Sequence, residues 1–188
     1  MRRTNGLRPG AFIDRDGVLN RDLGYVSRAA DFHWLPGAVA ALRRLQQAGL
    51  ALVVVTNQSG IARGFYTEAD FDDLTAHMRA ELAREGVLLD GVYACPHLPQ
   101  AVVAAYAREC DCRKPRPGLI LRAAAELGID LAASCLFGDK TSDIAAGRAA
   151  GVARCWLIAE SEAADAGADG VRASLDEAVV ALLEVAHP

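Results

Sequence analysis

Ala11-Phe12-Ile13-Asp14-Arg15-Asp16-Gly17-Val18 is the stretch whose reading decides the fold. An apolar triplet runs into two carboxylates two positions apart, with a glycine directly behind them. A strand that delivers acids at its C-terminal end suits an open parallel sheet, where ligands bind in the crevice beyond the strand ends. An Asp-x-Asp by itself is most often a hydrated turn. Three groups downstream reverse that reading: Thr56-Asn57-Gln58-Ser59, Arg113-Lys114-Pro115 and Gly138-Asp139-Lys140-Thr141-Ser142-Asp143.

Working outward, short apolar runs alternate with amphipathic segments, which predicts an α/β domain with a doubly wound, mainly parallel sheet. Strands are expected at 11–14, 51–56, 91–95, 134–138 and 153–158. The unbroken Leu52-Val53-Val54-Val55 reads as a strand buried on both faces. A helix opens at Pro36-Gly37, carries Val39, Leu42 and Leu45, and stops at Gly49. A second begins at a Thr67/Asp70 capping box, carries Phe71, Leu74, Met78 and Leu82, and stops at Gly86. Pro117 to Gly128 and Asp139 to Ala150 are expected helices, and Ser174 with Glu177 caps the last. Residues 1–9 read as a loose arm and Glu162 to Gly170 as a loop. Asp14, Thr56 and Asp139 then all lie at C-terminal strand ends, on one edge of one sheet.

The 188 residues fit a single domain with a substantial core. A net charge of −4 with mixed signs gives no footprint for nucleic acid, so any phosphate site must use local cations and a metal. The longest apolar run, Leu50 to Val55, is too short to span a bilayer. Met1-Arg2-Arg3-Thr4-Asn5-Gly6 has no apolar segment behind it, so no secretory signal is read there and the expected location is cytoplasmic. Five cysteines in such a chain point to metal binding or buried thiols rather than disulfides.

The acids suit phosphoryl chemistry. Asp14 is the candidate nucleophile, ionised at neutral pH and able to form an acyl-phosphate that water hydrolyses. Asp16 is the candidate acid/base. The Thr56 hydroxyl and the Asn57 backbone amide are placed for non-bridging oxygens, and Lys114, set before Pro115 and Pro117, for the phosphate charge. Asp139 with Asp14 makes a ligand set that fits Mg2+, which prefers one or two carboxylates plus water and substrate phosphate. Asp143 is equally read as a plain helix cap.

A second metal set stands apart. Cys95-Pro96-His97 and Cys110-Asp111-Cys112 are separated by twelve residues, and three cysteines with one histidine are typical of a closed tetrahedral zinc site. Four protein ligands leave no open position, so this zinc is expected to be structural. It would staple the irregular loop 95–112 and fix Arg113 and Lys114 just beyond it. Cys135 and Cys155 are expected in strands of the core.

The ordered set D-R-D-G, T-N-Q-S, R-K-P and G-D-K resembles the haloacid dehalogenase superfamily of aspartate-nucleophile phosphatases, over roughly Ala11 to Ile158. The resemblance implies Asp14 as nucleophile, and Asp16 as acid/base that also ligates Mg2+ through its carbonyl. It implies Thr56 and Lys114 as phosphoryl stabilisers and Asp139 as metal ligand. Many relatives carry a cap domain. The lengths between motifs leave no room for one, so the site is expected to be open.

Asp22-x-Gly24-Tyr25, the run Leu52 to Gly64 and the zinc spacing resemble, more narrowly, the D-glycero-D-manno-heptose 1,7-bisphosphate phosphatases. That family implies removal of a 7-phosphate on the route to activated heptose for bacterial surface polysaccharide. The related histidinol-phosphate phosphatases have a shorter gap between the zinc pairs and form the enzyme alternative. A phosphoaspartate switch domain and a zinc-scaffold binding module are the alternatives that are not enzymes. Asn20, Asp22, Tyr25, Gln58, Ser59, Arg113 and Lys140 are the expected sugar-phosphate contacts, with Arg113 and Lys140 holding a second anion. The chain is expected to act as a monomer on a small phosphorylated sugar.

Overall fold

The computed structural model describes residues 6–160 and 167–185. Among the described residues six strands form one parallel sheet: β1 (Gly10–Ile13), β2 (Ala51–Asn57), β3 (Gly91–Cys95), β4 (Cys135–Gly138), β5 (Arg154–Ile158) and β6 (Gly170–Arg172). Their order is β3-β2-β1-β4-β5-β6, the doubly wound arrangement that opens a crevice between β1 and β4. The helices are α1 (Ala38–Gln47), α2 (Ser59–Ala62), α3 (Glu68–Arg84), α4 (Gly118–Leu127), α5 (Thr141–Ala150) and α6 (Leu175–Val185).

Both faces of the sheet are covered, as an uninterrupted apolar strand requires. Ile13, Leu52, Val54 and Phe137 pack with Leu42 and Leu45 of α1, Met78 and Leu82 of α3, and Val179 of α6. Phe12, Val53, Val55 and Leu136 face the other way, against Leu119, Ile120 and Ala123 of α4 and Ile144 of α5. The predicted capping box on α3 is formed: the Asp70 amide donates to Thr67 Oγ1 at 3.2 Å, and the Thr67 amide to Asp70 Oδ2 at 2.7 Å. Gly128 ends α4 and Gly151 ends α5, both in the left-handed conformation.

Some expectations need correction. Gly170, placed in a loop, starts β6, which pairs with β5. The rest of that predicted loop lies partly outside the described residues, as do residues 1–5 of the predicted arm. Arg8, also in that arm, exchanges backbone hydrogen bonds with Gly128 and Asp130. Helix α5 begins at Thr141 rather than Asp139, because the Asp143 carboxylate accepts from the Lys140 amide and caps the helix there. Asp139 is thereby left between strand and helix, free of either ladder.

Between β1 and α1 the chain forms bridges Asp16↔Asn20 and Asn20↔Trp34 and one 3-10 turn at Ala29–Asp31. Among the described residues no further helix or strand lies in that segment.

Candidate active site

Four chain segments meet beyond the strand ends. Asp14 follows β1, with its amide donating to the Phe137 carbonyl at 2.9 Å. Thr56 is the penultimate residue of β2, Lys114 lies in the long β3–α4 connection, and Asp139 follows β4. The Lys114 ammonium is buried, donates to the Val55 carbonyl at 2.8 Å and forms ion pairs with Asp14 Oδ1 at 3.0 Å and Asp143 Oδ1 at 2.5 Å. Burial pulls its pKa down, but Asp14 and Asp143 outweigh that and hold it above its ordinary value. Asp143 is thus more than the helix cap that was one reading of it.

Burial raises Asp14 to about 6, with Lys114 opposing and the Asp143 and Asp139 charges adding to the rise. Burial also raises Asp139, against the pull of Lys140. Oxygens of Asp14, Asp139 and Asp143 lie within 4.8 Å of one another. Of the two Asp139 oxygens, Oδ2 meets Lys140 at 3.2 Å, and Oδ1 is buried with no hydrogen-bond partner among the described residues.

Asp16 sits in a fully ordered setting. Arg15, buried despite its charge, donates from Nε and Nη2 to the Asp16 carboxylate at 2.8–3.1 Å. Asn20 Nδ2 and Gln58 Nε2 each donate to it at 3.0 Å. Two expected substrate contacts are therefore different in kind. Asn20 is completely buried and spends its amide on Asp16 and the Arg21 carbonyl, so it does not reach the cleft. Gln58 borders the cleft but is 2% exposed, with its donors used internally.

The other expected contacts line one cleft of about 630 Å³: Asp22, Tyr25, Asn57, Ser59, Arg113 and Lys140, around Asp14, Asp16, Thr56 and Lys114. The Asn57 side chain faces the Lys114 backbone, accepting from its amide and donating to its carbonyl, each at 3.1 Å. Lys140 is flanked by Asp139 and, at 3.6 Å, Asp22. Tyr25, at φ 57°, packs edge-on against Phe65 at the rim, with Arg63 over its ring.

The cysteine set assembles as spaced. Sγ atoms of Cys95, Cys110 and Cys112 stand 3.1–3.5 Å apart, far beyond the roughly 2.05 Å of a disulfide. His97 Nδ1 lies 3.2 Å from Cys112 Sγ and 3.7 Å from Cys95 Sγ. Burial and the Arg108 guanidinium lower the His97 pKa, which favours the neutral imidazole a metal takes. Cys135 and Cys155 are buried in β4 and β5.

Comparison with known proteins matches this architecture. The family model for haloacid dehalogenase-like hydrolases matches residues 6–151. The chain belongs to this family. D-glycero-beta-D-manno-heptose-1,7-bisphosphate 7-phosphatase of Yersinia pestis is 48% identical over 163 residues, covering 83% of this chain and 87% of that protein. The protein of the same name from Escherichia coli strain K12 is 51% identical over 150 residues, covering 80% and 78%. Among solved structures, D,D-heptose 1.7-bisphosphate phosphatase from B. bronchiseptica complexed with magnesium and phosphate aligns with a TM-score of 0.81 at 32% identity, over 94% of this chain and 99% of that one.

In a haloacid dehalogenase-like hydrolase the donor sets can be tested for fit. Clustered carboxylates, two of whose oxygens (Asp139 Oδ1 and Asp143 Oδ1) have no hydrogen-bond partner among the described residues, form a hard-oxygen site suited to Mg2+. Gly17 adds to the cradle: at φ 85° a Cβ there would run into the Asp139 carboxylate, so only glycine lets the two loops approach. Three thiols and one imidazole within reach of a single point form a set that can hold zinc.

The sequence reading missed Arg15, Tyr66 and the second role of Asp143. Arg15 stands between two acids, and only the fold shows it buried beneath Asp16.

Proposed function

We propose that this chain is a Mg2+-dependent phosphatase that removes the 7-phosphate of D-glycero-D-manno-heptose 1,7-bisphosphate through a phospho-aspartyl intermediate. The observation that carries the reading is the buried Lys114 ammonium set between Asp14 and Asp143 at the floor of an open cleft, in a chain about half identical to named heptose bisphosphate 7-phosphatases. Asp14 attacks phosphorus, and Asp16 gives a proton to the leaving C7 oxygen. Asp16 then takes a proton from the water that hydrolyses the acyl-phosphate, and Asp14 is released. Thr56 and Lys114 hold the non-bridging oxygens. Asp14, Asp139 and the Asp16 carbonyl hold Mg2+, which when bound offsets the charge of the acids and of the phosphoryl group. Cys95, His97, Cys110 and Cys112 hold a structural zinc.

The substrate end follows from the cleft. Asp22, Tyr25, Ser59 and the Asn57 backbone border the sugar, and Arg113 with Lys140 takes the far phosphate. A primary phosphate on a flexible arm reaches the buried Asp14 more easily than one on the ring. The enzyme works as a monomer in the cytoplasm, in heptose supply to surface polysaccharide; no helix among the described residues is long and apolar enough to cross a membrane. Phosphorus NMR of the product tests the reading. The 7-phosphate should be released and the 1-phosphate kept, with the β anomer preferred over the α anomer and over histidinol phosphate. A surviving 7-phosphate, or faster turnover of histidinol phosphate, would overturn it.

A further inference from the structure

Gln58 is joined to four side chains, and its amide orientation is fixed by their chemistry. Its Nε2 faces two acceptors, Asp16 Oδ2 at 3.0 Å and Thr56 Oγ1 at 2.9 Å. Its Oε1 faces two donors, the Tyr66 hydroxyl at 2.5 Å and Arg15 Nη2 at 3.3 Å. Turning the amide over would set oxygen against a carboxylate and nitrogen against a guanidinium, so only one orientation is satisfied. Every member of this network except Asp16 is at least nine-tenths buried: Arg15 1%, Thr56 1%, Gln58 2% and Tyr66 8% exposed. Such a network is rigid because a broken bond leaves a buried polar group without a partner.

The chain makes room for it. Gly60 stands against the Tyr66 ring, and a Cβ at that position would overlap the ring and crowd the hydroxyl. Ile61, Tyr66 and Phe71 form their own small apolar cluster, which seats the tyrosine. Arg15 also donates to the Val26 carbonyl at 2.8 Å and lies over the Phe71 ring, which anchors the opposite end.

We infer that Gln58, oriented by Tyr66 and Arg15, is a positioning residue for the phosphoryl transfer, acting on two catalytic groups through one nitrogen. By donating to Thr56 Oγ1 it makes that oxygen an acceptor and leaves the threonine proton to point at a phosphoryl oxygen. By donating to Asp16 Oδ2 it holds the acid/base carboxylate in place for the leaving oxygen. The burial-raised pKa of Tyr66, about 12, keeps its hydroxyl a donor throughout the working range. This inference rests on the roles proposed above for Asp16 and Thr56, and it replaces substrate binding as the role of Gln58.

The test compares an alkyl phosphate, whose leaving oxygen needs a proton, with p-nitrophenyl phosphate, whose leaving group departs without one. Gln58→Met should lower kcat about 10²-fold on the alkyl ester and roughly tenfold or less on the aryl ester, with KM little changed. Gln58→Glu keeps the shape but sets a carboxylate against Asp16, so it should be slower than Gln58→Met on the alkyl ester. Tyr66→Phe keeps the ring in its cluster and should shift the alkyl-to-aryl ratio in the same direction, by about threefold to tenfold. In an Asp16→Asn background, Gln58→Met should not change that ratio further. Equal losses on both esters, equal rates for the Met and Glu variants, or an unchanged Tyr66→Phe ratio would overturn the inference. The heptose reading fails separately: wild-type enzyme that ignores the bisphosphate refutes that substrate, while the ratio is still measured on whichever alkyl phosphate it accepts.

Discussion

The carboxylate centre and the cysteine–histidine cluster are built in opposite ways. Asp14, Lys114, Asp139 and Asp143 come from segments far apart in the chain and meet only because parallel pairing brings the ends of β1, β2 and β4 together. Their donors are hard oxygens, two of them without a hydrogen-bond partner among the described residues, facing a cleft. Cys95 at the end of β3 and His97, Cys110 and Cys112 in the connection after it bring four soft donors together. The first arrangement leaves positions for a substrate and the second leaves none. The two also touch: Asn57 pairs in register with Cys95, while its side chain holds the Lys114 backbone. The strand end that carries Cys95 therefore lies beside the segment that places Lys114.

The sharpest way to break this contrast is within the acids. Asp14→Asn should abolish turnover, and Asp16→Asn should cost about 10²–10⁴-fold in kcat while sparing metal binding. Near-normal steady-state rates in either variant would end the mechanism. Stability should move the other way for Asp14→Asn. A carboxyl whose folded pKa is raised, here from 3.8 to about 6, loses stability for the fold as pH climbs through that window. Metal-free Asp14→Asn should therefore melt at or above wild type at pH 7, with the difference vanishing near pH 4; a lower Tm at pH 7 contradicts the balance described here.

Lys114→Met probes what the acids need. It leaves Asp14 and Asp143 buried together without their cation, a loss of roughly 3–5 kcal/mol. Denaturant melts should show it, and restoration by Asp143→Asn in the double variant would confirm that charge is the cause. Cys110→Ala comes next. Zinc content should fall, and Tm should drop by about 2–4 °C per kcal/mol lost, with activity declining in parallel because the Arg113–Lys114 loop loses its brace. Full activity in zinc-free protein would separate the two regions and refute the coupling. The smallest effect is expected from Arg113→Ala: a lower kcat/KM for the bisphosphate, with a lesser loss for monophosphates. Equal losses on both would remove Arg113 from the far-phosphate role.

How legible each region was follows from how it is built. The cysteine pairs are local, and their spacing alone was enough to group them. The strand-end acids could be grouped because β1, β2 and β4 carry apolar runs that end where the polar motifs begin. Strand β6 was missed because Gly170-Val171-Arg172 is short, half-buried and lacks such a run. Helix α2 was missed because Ser59–Ala62 is a single turn whose residues read as a loop. The burial of Arg15, Gln58 and Asn20 was not legible for a shared reason: polar residues are mostly exposed, and burial beneath a carboxylate leaves no mark in the sequence.

The division of labour between the two regions can be tested with a brief chelation of protein purified without chelator, following metal content and turnover together. The account predicts one zinc per chain that survives the treatment, turnover that is lost, and full recovery on adding Mg2+ alone. Zinc that leaves in step with activity, or activity that only zinc restores, would contradict it.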